Sequence, residues 1–368
     1  MKRTLMPLLL LFAAGSVVAD EIVVGQSIDL TGSSAQHGKA VQSGIMLYVS
    51  THKNAFGKNK MVLKTLDDGG NSKRAAENAR QLIERDKAIV LFGGIEGGPC
   101  TAQLKVATEL QVPLVGCLAG SPELRAPFNR YSFPVRAGHY NEFEQLLIFA
   151  KRSGLAKVAF VHADNENGRA HLVNVGKLTK QLGIADVISV PATPGADGKP
   201  DARAMADRIV KNQASGVFNH GSYVMYADII RTLRATNAAM QVMAVNSGAQ
   251  QLVELLGKDG KGIVFTQVVP FPFSDSAPIV GEYRKALAIK NPAAQPSFSE
   301  LEGYLTAKAL AEGLKRTTRP TSDAIISAFE GMSRVDLGGV IIRYSATAHT
   351  GAEFVDTVIA SSDGKFRH

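Results

Sequence analysis

From residue 21 onward, short runs rich in β-branched residues alternate with longer amphipathic stretches, and this alternation limits the fold more tightly than any other feature of the chain. Residues 22–27, 61–66, 89–92 and 112–115 read as strands, and 37–54, 72–85 and 101–110 as helices. Ala75, Ala76, Ala79, Leu82 and Ile83 recur at the helical period, whereas Ile89, Val90, Leu91 and Phe92 form the unbroken apolar run of a strand covered on both faces. A βαβα order of this kind builds a mostly parallel, doubly wound α/β sheet with right-handed crossovers.

After a less regular link over 121–138 the same order restarts. Helices at 141–153, 168–182, 202–211 and 223–235 alternate with strands at 158–161, 186–190, 216–220 and 241–245, which implies a second lobe of the same class. Beyond 262–269 come a proline-rich link at 270–296, helices at 299–315 and 322–329, and a β-rich stretch at 340–360. This remainder is too small and too helical for a third unit, so it is expected to return and complete both lobes. The expected division is 20–138 with 268–345 for lobe 1, and 139–267 with 346–368 for lobe 2, with a cleft between them. A length of 368 residues also suits two domains.

In open parallel sheets, ligands lie beyond the carboxyl ends of the strands, where loops and helix N-termini present free N–H groups. Those loops here are 29–36, 93–100, 116–122, 162–167, 221–223 and 246–249, all polar and rich in glycine or serine. Gln36, His37, Tyr140, Tyr223, Asn246 and Glu302 are the candidate contacts. Each has a plainer reading: a surface cap for Gln36 and His37, packing for the tyrosines, a helix cap for Asn246 and a dipole partner for Glu302.

The sequence contains no catalytic signature that we can identify. Gly38-Lys39 lacks phosphate-loop spacing, and Ala40 stands where a Ser or Thr would meet magnesium. Gly93, Gly94, Gly97 and Gly98 miss the dinucleotide spacing, the eight histidines form no metal-ligand pair, and no Gly-X-Ser-X-Gly elbow occurs. No enzyme activity, cofactor or metal is therefore expected. The net charge of +8 is dispersed without a basic run, which argues against nucleic acid.

Lys2 and Arg3 precede an apolar stretch of about ten residues from Leu5 to Ala14 and then small residues ending in Val17-Val18-Ala19, the pattern of a secretory signal peptide over 1–19 and too short for a membrane span. Export permits a disulfide. Cys100 falls at a helix start after the third strand and Cys117 just past the fourth, so both lie on one sheet edge. Bonding requires their Cα atoms to lie within about 7 Å.

The segments Gly25-Gln26-Ser27, Asp29-Leu30-Thr31-Gly32 and Ala35-Gln36-His37-Gly38 resemble the first strand and loop of the periplasmic substrate-binding proteins of branched-chain amino acid ABC transporters. The resemblance continues through Asp67-Asp68, the glycine loop from Gly93, Ser121-Pro122-Glu123-Leu124, residues 133–136 and Glu302-Gly303-Tyr304, covering nearly the whole mature chain. It implies a type I periplasmic binding fold: two Rossmann-like doubly wound lobes, a three-crossover hinge, and closure around one small ligand. Leucine-type members hold the ligand carboxylate with a Ser and a Thr, which align here with Gly97 and Gly120, and the ammonium with an acid, which aligns with Asn246. Their first-loop aromatic becomes His37, and two tyrosines become Asn167 and Ser222.

With those side chains absent, the resemblance leaves backbone N–H groups at Gly97, Gly98, Ala119 and Gly120, beside Ser121, to cradle an anion, and Glu96 or Glu302 to meet an ammonium. The implied function is capture of a small polar organic ligand, an amino acid or related amide or carboxylate, by a periplasmic monomer that delivers it to an ABC transporter permease. The alternatives are a sensing subunit for a membrane receptor and an exported enzyme. The family's usual disulfide positions correspond here to Gly70 and Glu96.

Overall fold

The computed structural model describes residues 21–57, 60–184, 186–195, 198–236, 240–317 and 319–368; the expected leader lies outside them. Strands β1 (Glu21–Ile28), β2 (Lys60–Asp67), β3 (Val90–Phe92), β4 (Leu114–Val115) and β5 (Ser132–Phe133) form a parallel sheet in the order β2-β1-β3-β4-β5. Helices α1 (Ala35–Thr51), α2 (Ser72–Glu84) and α3 (Gly97–Glu109) supply the crossovers. The β1–β2 register runs from Glu21↔Lys60 to Ile28↔Asp67, which brings the Asp29 and Asp68 loops to the same carboxyl edge.

The second sheet runs β15-β14-β10-β9-β8-β6-β7. Its parallel strands are β6 (Lys157–Ala163), β7 (Asp186–Ala192), β8 (Gly216–His220), β9 (Gln241–Ala244) and β10 (Val264–Gln267). Helices α4 (His139–Arg152), α5 (Glu166–Leu182), α6 (Ala202–Lys211), α7 (Tyr223–Ala235) and α8 (Ala249–Leu256) accompany it. The chain then returns to the first core through α9 (Pro278–Lys290), α10 (Phe298–Leu314) and α11 (Ser322–Glu330). An antiparallel ribbon of β11 (Val335–Asp336), β12 (Ile341–Ser345) and β13 (Ala348–Ala352) follows, and β14 (Asp356–Ala360) and β15 (Phe366–Arg367) close the second sheet antiparallel. The chain thus passes between the sheets three times, before α4, after β10 and after β13.

Four local readings of the sequence are corrected. The link at 121–138 contains β5, which pairs with β4. The proline-rich link contains α9, because Pro278 sits in its first turn, where a missing N–H costs nothing. Helix α8 follows β9, but Gly248 and not Asn246 stands at its N-cap. Strand β13, assigned to lobe 2 by sequence, belongs with the first lobe: His349 Nδ1 lies 2.8 Å from Ser132 O, and the Ala352 N–H donates to Val135 O at 2.8 Å.

Helices α1 and α10 cross through two glycines. A Cβ on Gly44 would be driven into the Glu300 carbonyl, and one on Gly303 into the Val41 carbonyl. Gly303→Ala is therefore expected to lower stability by about 1–3 kcal/mol by forcing the helices apart. Gly281→Ala on α9, where no atom lies within 4 Å of the new methyl, is expected to gain up to about 1 kcal/mol. Thermal melts of the two variants check this contrast. Among the described residues no helix is long and apolar enough to cross a membrane.

Candidate functional site

The interlobe crossings meet around one buried carboxylate. Glu142, in the first turn of α4, accepts at Oε2 from Arg136 Nη2 (2.8 Å) and His139 Nδ1 (2.6 Å). At Oε1 it accepts from the Asn246 backbone N–H (3.1 Å) and Thr266 Oγ1 (3.2 Å). Burial pushes this carboxyl up, but Arg136, His139 and the Asn246 amide outweigh it and hold the group at about 2. Arg136 also faces Glu302 Oε1 across 3.7 Å. Glu302 is buried on α10, and burial, reinforced by Glu142, drives its carboxyl up to about 7 against the pull of Arg136 and of Asn246, whose Nδ2 donates to Oε2 at 3.4 Å.

Beside this network the rings of His139, His171 and His220 pack with centroids 3.9–5.5 Å apart. Both nitrogens of His171 and Nδ1 of His220 are buried without partners. Burial, with the neighbouring imidazoles, holds His171 at about 3 and His220 well below its ordinary value. His37, whose Nδ1 lies 2.9 Å from Ser299 Oγ, is held at about 4 by burial and then by Arg136. Among the described residues no three His, Cys, Asp or Glu side chains are grouped to hold a metal ion.

The glycine loops of the first sheet differ from the sequence reading. Gly93 and Gly116 turn the chain out of β3 and β4 with φ of 68° and 61°, a conformation open to glycine at no steric cost. A Cβ on Gly97 would overlap Ser121 Oγ, and one on Gly120 would come within 2.6 Å of the His139 ring. The Ser121 hydroxyl and the His139 imidazole thus fill the spaces that side chains at positions 97 and 120 would take. The Ala119 N–H is already donated to Cys117 O at 2.8 Å, so it is not available to an anion. Behind the loop, Arg125 donates to the carbonyls of Ala119, Ser121 and Arg136 at 2.9–3.1 Å.

Glu96 is engaged elsewhere: it accepts from the Ser34 hydroxyl, and a Cβ on Gly70 would lie 3.2 Å from its Oε2. Burial, with Asp29 and Asp68 nearby, raises its carboxyl. Gly98 backs onto Ser72. Cys100 and Cys117 are disulfide-bonded with Cα atoms 6.0 Å apart, pinning the start of α3 to the end of β4.

On the second lobe, Asn165 caps α5 by accepting from the Gly168 N–H at 2.9 Å, and the next turn places Asn167 opposite Thr101 and Glu123, with Oδ1 buried and unpartnered. Ser222 caps α7, accepting from the Met225 N–H at 3.4 Å, and the Tyr223 ring packs against Gly248. Tyr140 points toward α5, its hydroxyl donating to Gln181 Oε1 at 3.2 Å, and Gln36 is exposed in the first turn of α1.

A cavity of about 850 Å³ opens where β9, β10, α1 and α10 converge. Of the predicted residues it gathers His37, Asn246 and Glu302; the others named above do not line it. Sequence reasoning missed Gln267 and the aromatic wall of Phe271, Phe273, Phe298 and Phe366. The only signal for that wall was a pair of phenylalanines two apart in a proline-rich link. Three side-chain atoms of lining residues, Asn246 Oδ1, Gln267 Nε2 and Glu302 Oε1, are buried behind the cavity surface without hydrogen-bond partners. Buried polar groups in native proteins are nearly always paired, so three such atoms on residues of one cavity mark a place where a polar molecule would find partners once those side chains turn toward it.

Residues 21–364 match the family model described as periplasmic binding protein. No curated protein shows significant similarity to the chain. Among solved structures, the chain is similar to a possible leucine/isoleucine/valine-binding protein from Rhodopirellula baltica, at 23% identity and a TM-score of 0.86, over 96% of this chain and 98% of that one. An extracellular ligand-binding receptor from Verminephrobacter eiseniae aligns at 25% identity and 0.85, over 95% and 100%. A fatty acid ABC transporter substrate-binding protein from Thermomonospora curvata aligns at 15% and 0.81, over 95% and 91%. Together with the two doubly wound sheets and three crossings, the match across nearly the whole described chain means that it belongs to the periplasmic binding protein family and takes its type I fold.

Proposed function

We propose that the protein captures a small organic ligand with a polar head in the interlobe cavity and delivers it to the membrane permease of an ABC transporter. The observation that carries this reading is the set of unpaired atoms on Asn246, Gln267 and Glu302. They come from both lobes and lie beside the crossings about which lobes of this fold close. Closure over a ligand would pair them and remove the aromatic wall from water. The leader expected at 1–19 fits export to the periplasm, and the protein is expected to act there as a monomer without a cofactor.

Melting measurements against amino acids, amides, carboxylates and nucleobases test the capture step. One class should raise the melting temperature, with about 2.7 kcal/mol gained when ligand is present at 100 times its Kd, and Asn246→Ala should erase that gain. No stabilisation by any class would remove the reading. Delivery is tested with transporter-containing proteoliposomes, whose ATP hydrolysis should rise with ligand-loaded protein and not with the empty form.

A further inference from the structure

The cavity reading can be deepened to a ligand class, on which this inference rests: we propose that the occupant is a primary carboxamide carried on an aromatic or similarly flat apolar body. With Glu302 ionised, above about pH 7, the groups without a hydrogen bond are two acceptors, Asn246 Oδ1 and Glu302 Oε1, the latter facing only Arg136 across 3.7 Å, and one donor, Gln267 Nε2. Because Asn246 Nδ2 donates to Glu302 Oε2, the orientation of the Asn246 amide is set and its oxygen is left over. A primary carboxamide supplies one acceptor oxygen and two N–H donors, the complement of this set.

Other heads fit less well. A carboxylate has no donor for Asn246 and brings its charge against Glu302. An N,N-dialkyl amide has no N–H, and a simple ammonium leaves Gln267 unpaired. A zwitterionic amino acid needs donors for its carboxylate, yet the cations that line the cavity, Lys365, Arg367 and His368, are exposed residues of the C-terminal tail, and Arg367 and His368 are paired with Asp363 and Asp356.

The body of the ligand is read from the cluster of phenylalanines in the same cavity. Phe271 stands 5.2 Å from Phe273 and 6.0 Å from Phe298, both at 64°, and Phe298 meets Phe366 edge-on at 5.5 Å. Phe273 remains 41% exposed. Tilted rings with uncovered faces take an aryl group by stacking or edge contact. The volume of about 850 Å³ lies in the range that encloses drug-sized ligands and leaves room for such a body beside the head.

The test is calorimetry of the full mature chain with 3-phenylpropanamide, 3-phenylpropanoate, N,N-dimethyl-3-phenylpropanamide and leucine. The primary amide should bind at least tenfold tighter than the acid and the dimethyl amide, about the value of one lost hydrogen bond. Gln267→Leu and Phe271→Ala should each weaken the amide by roughly tenfold. If a variant fails to fold, the four compounds on the unaltered protein decide. Equal binding of the three phenyl compounds overturns the inference. Binding of leucine alone overturns it while leaving the capture reading intact, whereas failure of these four and of every class in the melting panel removes both.

Discussion

Replacing Arg136 by methionine is expected to cost about 3–5 kcal/mol, read as a lower urea midpoint at unchanged slope. Arg136 is 3% exposed, and its partner Glu142 is fully buried. Methionine fills most of the volume but leaves the Glu142 carboxylate with only the His139 imidazole, the Thr266 hydroxyl and the Asn246 N–H. An uncompensated buried charge dominates such a cost, so Arg136→Met with Glu142→Leu should recover much of the loss. Burial first, and then Arg136 and Arg125, hold down the protonation of His139, while Glu142 favours it. Without the guanidinium His139 should take up a proton more readily, and the deficit of Arg136→Met should shrink between pH 7 and pH 6. A deficit under 1 kcal/mol, or one that does not change with pH, would show that the crossings are held by packing rather than by this ion pair.

The same residues show what could be read from the chain and what could not. Strands such as 89–92 and helices such as 202–211 and 223–235 were legible because burial on two faces or one face imposes a short-range pattern. The two-sheet architecture followed from their order. Helix α9 was hidden by the prolines around it, although its own Pro278 is one that starts a helix. Strand β5 has only two residues and no pattern of its own; it exists through its pairing with β4.

The cavity lining was legible where a single loop carries its own signal, as at Asn246. It was lost where one segment borrows from another. Position 97 looked empty because its space is filled by Ser121, and position 120 because its space is filled by His139, across distances in sequence that no local pattern spans. Gln267 and Phe298 read as the end of a strand and the start of a helix. Their shared role depends on chain crossings that only the tertiary structure places side by side.

The unliganded protein is also expected to lose stability steeply on mild acidification, by about 2–3 kcal/mol per pH unit near pH 5.5. His37, His171 and His220 are held at about 4, at about 3, and well below the ordinary value. Each stays neutral in the fold while the unfolded chain takes up a proton below about pH 6.5, so stability falls as pH drops through that window. Glu302 acts in the opposite sense. Its folded value of about 7 lies above the unfolded carboxyl range, so it favours the fold as pH falls from about 7 toward 4.5. Asp68 and Glu96, also raised, add to that opposing effect nearer the carboxyl range. Glu142, held at about 2, keeps its contribution until the pH falls below about 4.5.

The three histidines named, set against Glu302, leave about two protons taken up on unfolding near pH 5.5, each worth about 1.4 kcal/mol per pH unit; His139 and His349, lowered chiefly by burial, add to that uptake, and Asp68 and Glu96 oppose it. His171→Phe isolates one of them. Neither ring nitrogen has a partner to lose, and phenylalanine suits the contact with Phe143 at 5.4 Å. The variant should match or exceed the parent at pH 7 and gain on it as the pH falls, flattening the slope by about one proton. Urea titrations at pH 7.0, 6.0 and 5.5 measure that slope, and a parent curve flat across the range, or one unaltered in His171→Phe, would mean that these imidazoles are protonated within the folded protein.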